Sequence, residues 1–145
     1  MKTRIKIDKA EPAGYKAVLG LEKIIESTPL TRTHKDLIKI RASQINGCAF
    51  CIDMHTKEAR KAGETEQRIY TLNAWRDTSF FTEEERAILA LTEEVTLISN
   101  HVADETYEQA AKVLEETYLA QVVLAIITIN VWNRIGISTK LVPAE

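Results

Sequence analysis

The chain has 145 residues, 45% of them apolar, enough for one domain with a real core and too few for a second. A net charge of −2 supplies no basic surface, so neither nucleic acid nor an anionic membrane is expected as a partner. Two cysteines, three positions apart, exclude a secreted disulfide scaffold, which carries more of them at wider spacings.

In chain order, the run from Met1 to Asp8 is basic with no apolar stretch behind it, unlike a secretory signal, and a cytoplasmic location is expected. Pro12 and Gly14 open a helical pattern carrying Tyr15, Val18, Leu21 and Ile25, which Ser27, Thr28 and Pro29 break. A second helix is predicted from about His34 to Gln44, closed by the C-cap signal Asn46-Gly47. A third begins at the cysteines and stops near Gly63, and a fourth covers roughly Thr65 to Trp75. Thr82 with Glu85 reads as a capping box, opening a helix with Ile88, Leu91, Val95 and Ile98 on its apolar face. The run Glu83-Glu84-Glu85-Arg86 reads as a solvated helix start. Asp104 is the expected cap of a helix carrying Tyr107, Ala111 and Leu114.

The last segment, Leu119 to Ile135, is rich in β-branched residues that would also suit a buried strand. No breaker precedes Gly136 and no other segment offers a sheet partner, so a core helix is predicted. The apolar stretch from Tyr118 to Trp132 is shorter than the roughly 20 residues a membrane span needs. The expected architecture is an all-α, single-domain bundle of about six or seven helices.

The chemistry-bearing residues sit on the third helix. With 3.6 residues per turn, Cys48, Cys51, Ile52, His55 and Ala59 form one inward stripe, while Asp53, Thr56, Lys57, Arg60 and Lys61 face away. The Cys-x-x-Cys spacing allows a disulfide to close across a first helical turn, where free N–H groups and the positive dipole end stabilise a thiolate. Cys51 and His55 lie one turn apart, about 6 Å at Cβ, so the imidazole can take the thiol proton or pair with the thiolate. Cys48 lies two turns from His55 and, at the helix end, is expected to be the better exposed sulfur. A buried imidazole needs a partner to set its tautomer. On the preceding helix Asp36 shares a stripe with Ile40, Ser43 and Gly47, with Lys35 and Lys39 turned toward solvent, and could reach His55 directly or through one water.

The stretch from Asp36 to Arg60, with its acidic residue, eleven positions and then Cys48-Ala49-Phe50-Cys51-Ile52-Asp53-Met54-His55, resembles the carboxymuconolactone decarboxylase superfamily. It is most similar to the alkylhydroperoxidase AhpD-like branch. Trp75-Arg76-Asp77, the acidic helix after Thr82 and Asn130-Val131-Trp132-Asn133-Arg134 extend the likeness over residues 12 to 140. The resemblance implies an all-helical fold and assembly as homotrimers or homohexamers. It further implies a hydroperoxide substrate and a dithiol electron donor; no cofactor is expected, and the count of grouped ligands disfavours a metal. Cys51 would attack the peroxide and pass through a sulfenic acid. Cys48 would donate a proton and resolve it as a disulfide, with His55 and Asp36 as proton relay. Two departures stand out: the acidic position is usually Glu, one methylene longer than Asp36, and Phe50 stands where some AhpD proteins carry His.

Other readings attach to the same residues. Close cysteines can be small buried hydrophobes. A zinc site would need a fourth ligand from His34 or His101, which otherwise read as lone surface or capping residues near helix ends. Trp75 and Trp132 read as core or interface aromatics, and Asn130 and Asn133 as buried amides with structural or subunit partners. Beyond a thiol peroxidase or disulfide reductase, the alternatives are a decarboxylase-type lyase, which the paired cysteines disfavour, and a non-enzymatic assembly module.

Overall fold

Apolar residues repeating at helical spacing need a shared interior, and in the computed structural model they find it as an all-α bundle. The structure describes residues 2 and 4–145; the reading of the N-terminal run as no signal falls partly on Met1 and Thr3, which lie outside the described residues. The helices are α1 (Ile7–Ala10), α2 (Pro12–Ser27), α3 (Arg32–Asn46), α4 (Ala49–Lys61), α5 (Glu66–Tyr70), α6 (Glu83–Thr96), α7 (Asp104–Val113) and α8 (Glu116–Thr139), with 3₁₀ turns at Leu72–Asp77 and Ile98–Asn100. Among the described residues six helices have seven residues or more and none of the chain is strand.

Helix α3 is the central strut, packed against α4, α6 and α8. It faces two cores. Ile38 and Ala42 join Ile88, Leu91, Ile126 and Ile129, whereas Leu37 and Ile40 join Ala59, Leu72, Trp75 and Leu89. Leu37, Ile38 and Ile40 are fully buried, each stabilising the fold by about 1.5–3 kcal/mol, so α3 is held from both sides.

The predicted helix starts hold at Pro12, the first residue of α2, and at Thr82, whose hydroxyl and Glu85 complete the capping box. Four expectations are corrected. The fourth segment is no single helix: α5 ends at Tyr70 and a 3₁₀ turn follows, with Ala74 off helical geometry at φ −121°. Ile98 leaves the apolar face of α6 because the helix stops at Thr96, and it is exposed in the following turn. In α7 the buried face is Ala110, with Leu114 just beyond, while Tyr107 and Ala111 face outward; Ala103, not Asp104, is the N-cap. Glu85 is buried rather than solvated, because Arg68 reaches both its oxygens at 2.8 and 2.9 Å.

The final segment is the predicted core helix, and longer than predicted. α8 runs through Gly136 for 24 residues and is long and apolar enough to cross a membrane by length and composition. In the bundle it buries Val122, Ile126 and Ile129 and docks on α3 through amides. Asn46 donates to Asn130 Oδ1 and Asn133 Oδ1 at 2.9 Å each, and Asn133 donates to Ser43 Oγ at 2.9 Å. These bonds account for the buried amides as structural groups and pin α8 beside the turn that delivers the cysteines.

Candidate functional site

The site is assembled at the junction of α3 and α4. Gly47 adopts the left-handed conformation (φ 70°), and the N–H groups of Gly47 and Cys48 donate back to Gln44 and Ser43. This Schellman arrangement ends α3 and turns the chain straight into α4. Cys48 becomes the N-cap of α4, its sulfur accepting from the Cys51 N–H at 3.3 Å. The two sulfurs are bonded to one another, with their Cα atoms 5.3 Å apart.

Four of the five residues of the predicted stripe, Cys48, Cys51, His55 and Ala59, are buried, while Ile52 is only half-buried. Cys48 is not the more exposed sulfur, since at 2% against 3% the two are equally covered. Gly136 of α8 covers them: a Cβ there would lie 3.1 Å from Cys48 Sγ and 3.6 Å from Cys51 Sγ. Only Cys51 lines the adjoining cleft of about 760 Å³.

That cleft also takes in His55 and has an apolar wall of Tyr15, Phe50, Met54, Trp132 and Ile135. Trp132 is thus a cleft residue as well as a packing one, meeting Tyr15 edge-on at 5.5 Å and donating to Glu22 at 3.0 Å. Trp75, by contrast, is buried in the core, its indole N–H on Glu93 at 2.9 Å. At the charged end of the cleft Lys39 binds Glu22 and Glu26 at 3.0 and 2.8 Å. Burial works against the Lys39 ammonium, but the two carboxylates outweigh it and raise its pKa. Lys35 and Lys39 therefore do not face solvent as expected; Lys35 is buried, its ammonium on the Glu26 carbonyl at 3.0 Å.

His55 Nδ1 lies 3.1 Å from Glu58 Oε2, one turn further along α4. Burial pushes the imidazole pKa below its ordinary value and the Lys39 charge pushes the same way, against the pull of Glu58. Asp36 is placed differently from expectation. It is buried beside the site, but both its oxygens accept from Arg32 Nε at 2.9 Å, and it makes no direct hydrogen bond to His55. Burial raises its pKa, with Arg32 opposing. The physical reason is local: Arg32 sits one turn before Asp36 on the same helix and reaches a short carboxylate that would otherwise have to span the helix pair. Both pairings have a signal in the sequence, Arg32 four positions before Asp36 and Glu58 three after His55.

The remaining histidines separate. His34 is buried, not a surface residue, with Nδ1 on the Tyr118 hydroxyl at 2.6 Å, whereas His101 is exposed. Among the described residues no group of three or more His, Cys, Asp or Glu side chains is arranged to hold a metal ion.

Comparison with known proteins supplies the context. The model of the carboxymuconolactone decarboxylase family matches residues 12–94. The uncharacterized protein YdfG of Bacillus subtilis (strain 168) is 48% identical over 139 residues, 95% of each chain. A crystal structure from Agrobacterium tumefaciens, of a protein of unknown function proposed as the antioxidant defence protein AhpD, superposes with a TM-score of 0.95 at 41% identity, covering 99% of this chain and 100% of that one. An uncharacterized peroxidase-related protein of Ralstonia eutropha JMP134, an alkylhydroperoxidase AhpD core, shares the fold with a TM-score of 0.82 at 15% identity, covering 95% of this chain and 74% of that one. With Cys48, Cys51 and His55 on one buried helix face, this chain belongs to the carboxymuconolactone decarboxylase family, in its AhpD-like branch.

Proposed function

We propose that the protein is a thiol-dependent peroxidase that reduces hydroperoxides with electrons from a dithiol donor. The observation that carries this reading is that Cys51, bonded to Cys48, lines a cleft with one apolar wall beside a buried imidazole. In the reduced protein His55 takes the Cys51 proton. The thiolate attacks the distal peroxide oxygen; the O–O bond breaks, Cys51 becomes a sulfenic acid, and the leaving alkoxide takes a proton. Cys48 then displaces hydroxide from that sulfur, the disulfide forms, and water is released. A dithiol returns two electrons and two protons and leaves as its own disulfide.

The cleft wall suits an organic hydroperoxide more than a wholly polar one, and a neutral imidazole suits a base. The proposed setting is the cytoplasm, where thiols are kept reduced. Assembly as a homotrimer or homohexamer is part of the reading: exposed Ile98, Tyr107 and Ile127 line one apolar groove with Val95, Val102 and Val123, a surface for subunit contact.

The test is chemical. Mild peroxide should remove two hydrogens from the intact mass of the reduced chain, and dithiol should restore them. Cys51→Ser should abolish peroxide consumption, whereas Cys48→Ser should permit one round of sulfenic acid formation without turnover. Two freely alkylatable thiols after peroxide would sink the reading.

A further inference from the structure

We propose that Glu58 is the positioning carboxylate of His55, the part that the family likeness gives to Asp36; the proposal deepens the peroxidase reading and rests on it for its catalytic meaning. Three observations carry it. Glu58 Oε2 is 3.1 Å from His55 Nδ1 and comes from the same helix, so its reach does not depend on how closely α3 approaches α4. Asp36 has both oxygens committed to Arg32. Glu58 and His55 line the cleft together, and Asp36 is not part of its wall.

The chemistry follows from the partner. An ionised carboxylate only accepts, so the neutral imidazole must carry its proton on Nδ1, and Nε2 keeps the lone pair. That is the tautomer a general base needs. A carboxylate–imidazole pair also stabilises the imidazolium formed when a thiol proton arrives. The titratable and charged groups around His55 are Cys51, Glu58 and Lys61 on its own helix, Arg32, Asp36 and Lys39 on α3, and Tyr15, Glu22 and Glu26 on α2; the α8 residues in the cleft, Trp132 and Ile135, do not titrate. Against burial and Lys39, which both disfavour the imidazolium, Glu58 is the neighbour that hydrogen-bonds it.

Nitrogen-15 NMR of the reduced protein tests this without peroxide. Wild-type His55 should be the Nδ1–H tautomer. Glu58→Ala should mix the tautomers and lower the imidazole pKa, and Glu58→Asp should restore part of both. Asp36→Asn should leave the tautomer in place and move the pKa less than Glu58→Ala does. An unshifted His55 in Glu58→Ala overturns the proposal whatever Asp36→Asn does, so a buried variant that fails to fold does not shelter it. Wild-type protein with the Nδ1–H tautomer that consumes no peroxide would retain the Glu58 assignment and sink the peroxidase reading alone.

Discussion

His34 and His55 are the two buried imidazoles of this bundle, and burial lowers the pKa of both. Their surroundings otherwise differ. His34 lies in the first turn of α3, stacked edge-on against Tyr118 at 5.8 Å and bonded to its hydroxyl, a tie between α3 and α8. His55 lies mid-helix with a carboxylate on one nitrogen, a cleft on its face and a cysteine one turn away. A perturbed pKa therefore does not mark the functional group. What marks it is a partner that fixes one nitrogen together with an open face that leaves the other something to do.

The largest effect expected from this contrast is on chemistry at Cys51. His55→Ala should slow peroxide reduction by about 10²-fold or more, as loss of a general base does, and raise the pKa of the reactive thiol. Thiolate absorbance titrated against pH on the reduced protein reads the second quantity. His34→Ala should leave both unchanged; equal losses from the two variants would erase the distinction.

A smaller effect lies on the structural side. Tyr118→Phe strips His34 of its hydroxyl partner and leaves a buried ring nitrogen unpaired, at a cost of about 1–3 kcal/mol. Urea denaturation should show this as a lower midpoint with turnover per folded molecule preserved.

The helices were legible because their signals are local: Pro12 at a helix start, Thr82 with Glu85, Asn46-Gly47 at a helix end. The Cys48, Cys51 and His55 stripe was legible for the same reason, since one helix carries it. Asp36 was read into the relay by its stripe, yet its nearest cation sits on its own helix and takes it. Tyr15 and Trp132 reach the cleft from α2 and α8, and no spacing in the chain encodes an approach between helices so distant in sequence. Lys35 and Lys39 looked solvated because a helix face says nothing of the carboxylates that α2 lays over it.

The smallest expected effect ties the two imidazoles together. Each binds a proton less readily folded than unfolded, so between its lowered folded value and the unfolded value of about 6.5 the unfolded chain holds more protons. Stability is therefore full above about 6.5 and falls as pH drops through that window. Asp36, with a raised pKa, acts with the opposite sign in a lower window that opens at ordinary carboxylate values. Urea midpoints at pH 7.5 and 5.5 should differ in wild type and converge when both histidines are replaced by Gln. A gap that survives the double replacement would assign the pH response elsewhere.

The lid that Gly136 places over the sulfurs bears on the order of events. Both cysteines are covered and of the two only Cys51 lines the cleft, so in the proposed cycle oxidant and reductant would reach the same atom through the same opening. A dithiol entering there would attack Cys51, and the departing group would be Cys48, whose sulfur already accepts a backbone N–H at the head of α4, where a thiolate is favoured. Two substrates that share one doorway cannot occupy it together. A peroxidase working as proposed would then be confined to ping-pong turnover, parallel lines in a double-reciprocal plot, with each substrate in excess obstructing the other.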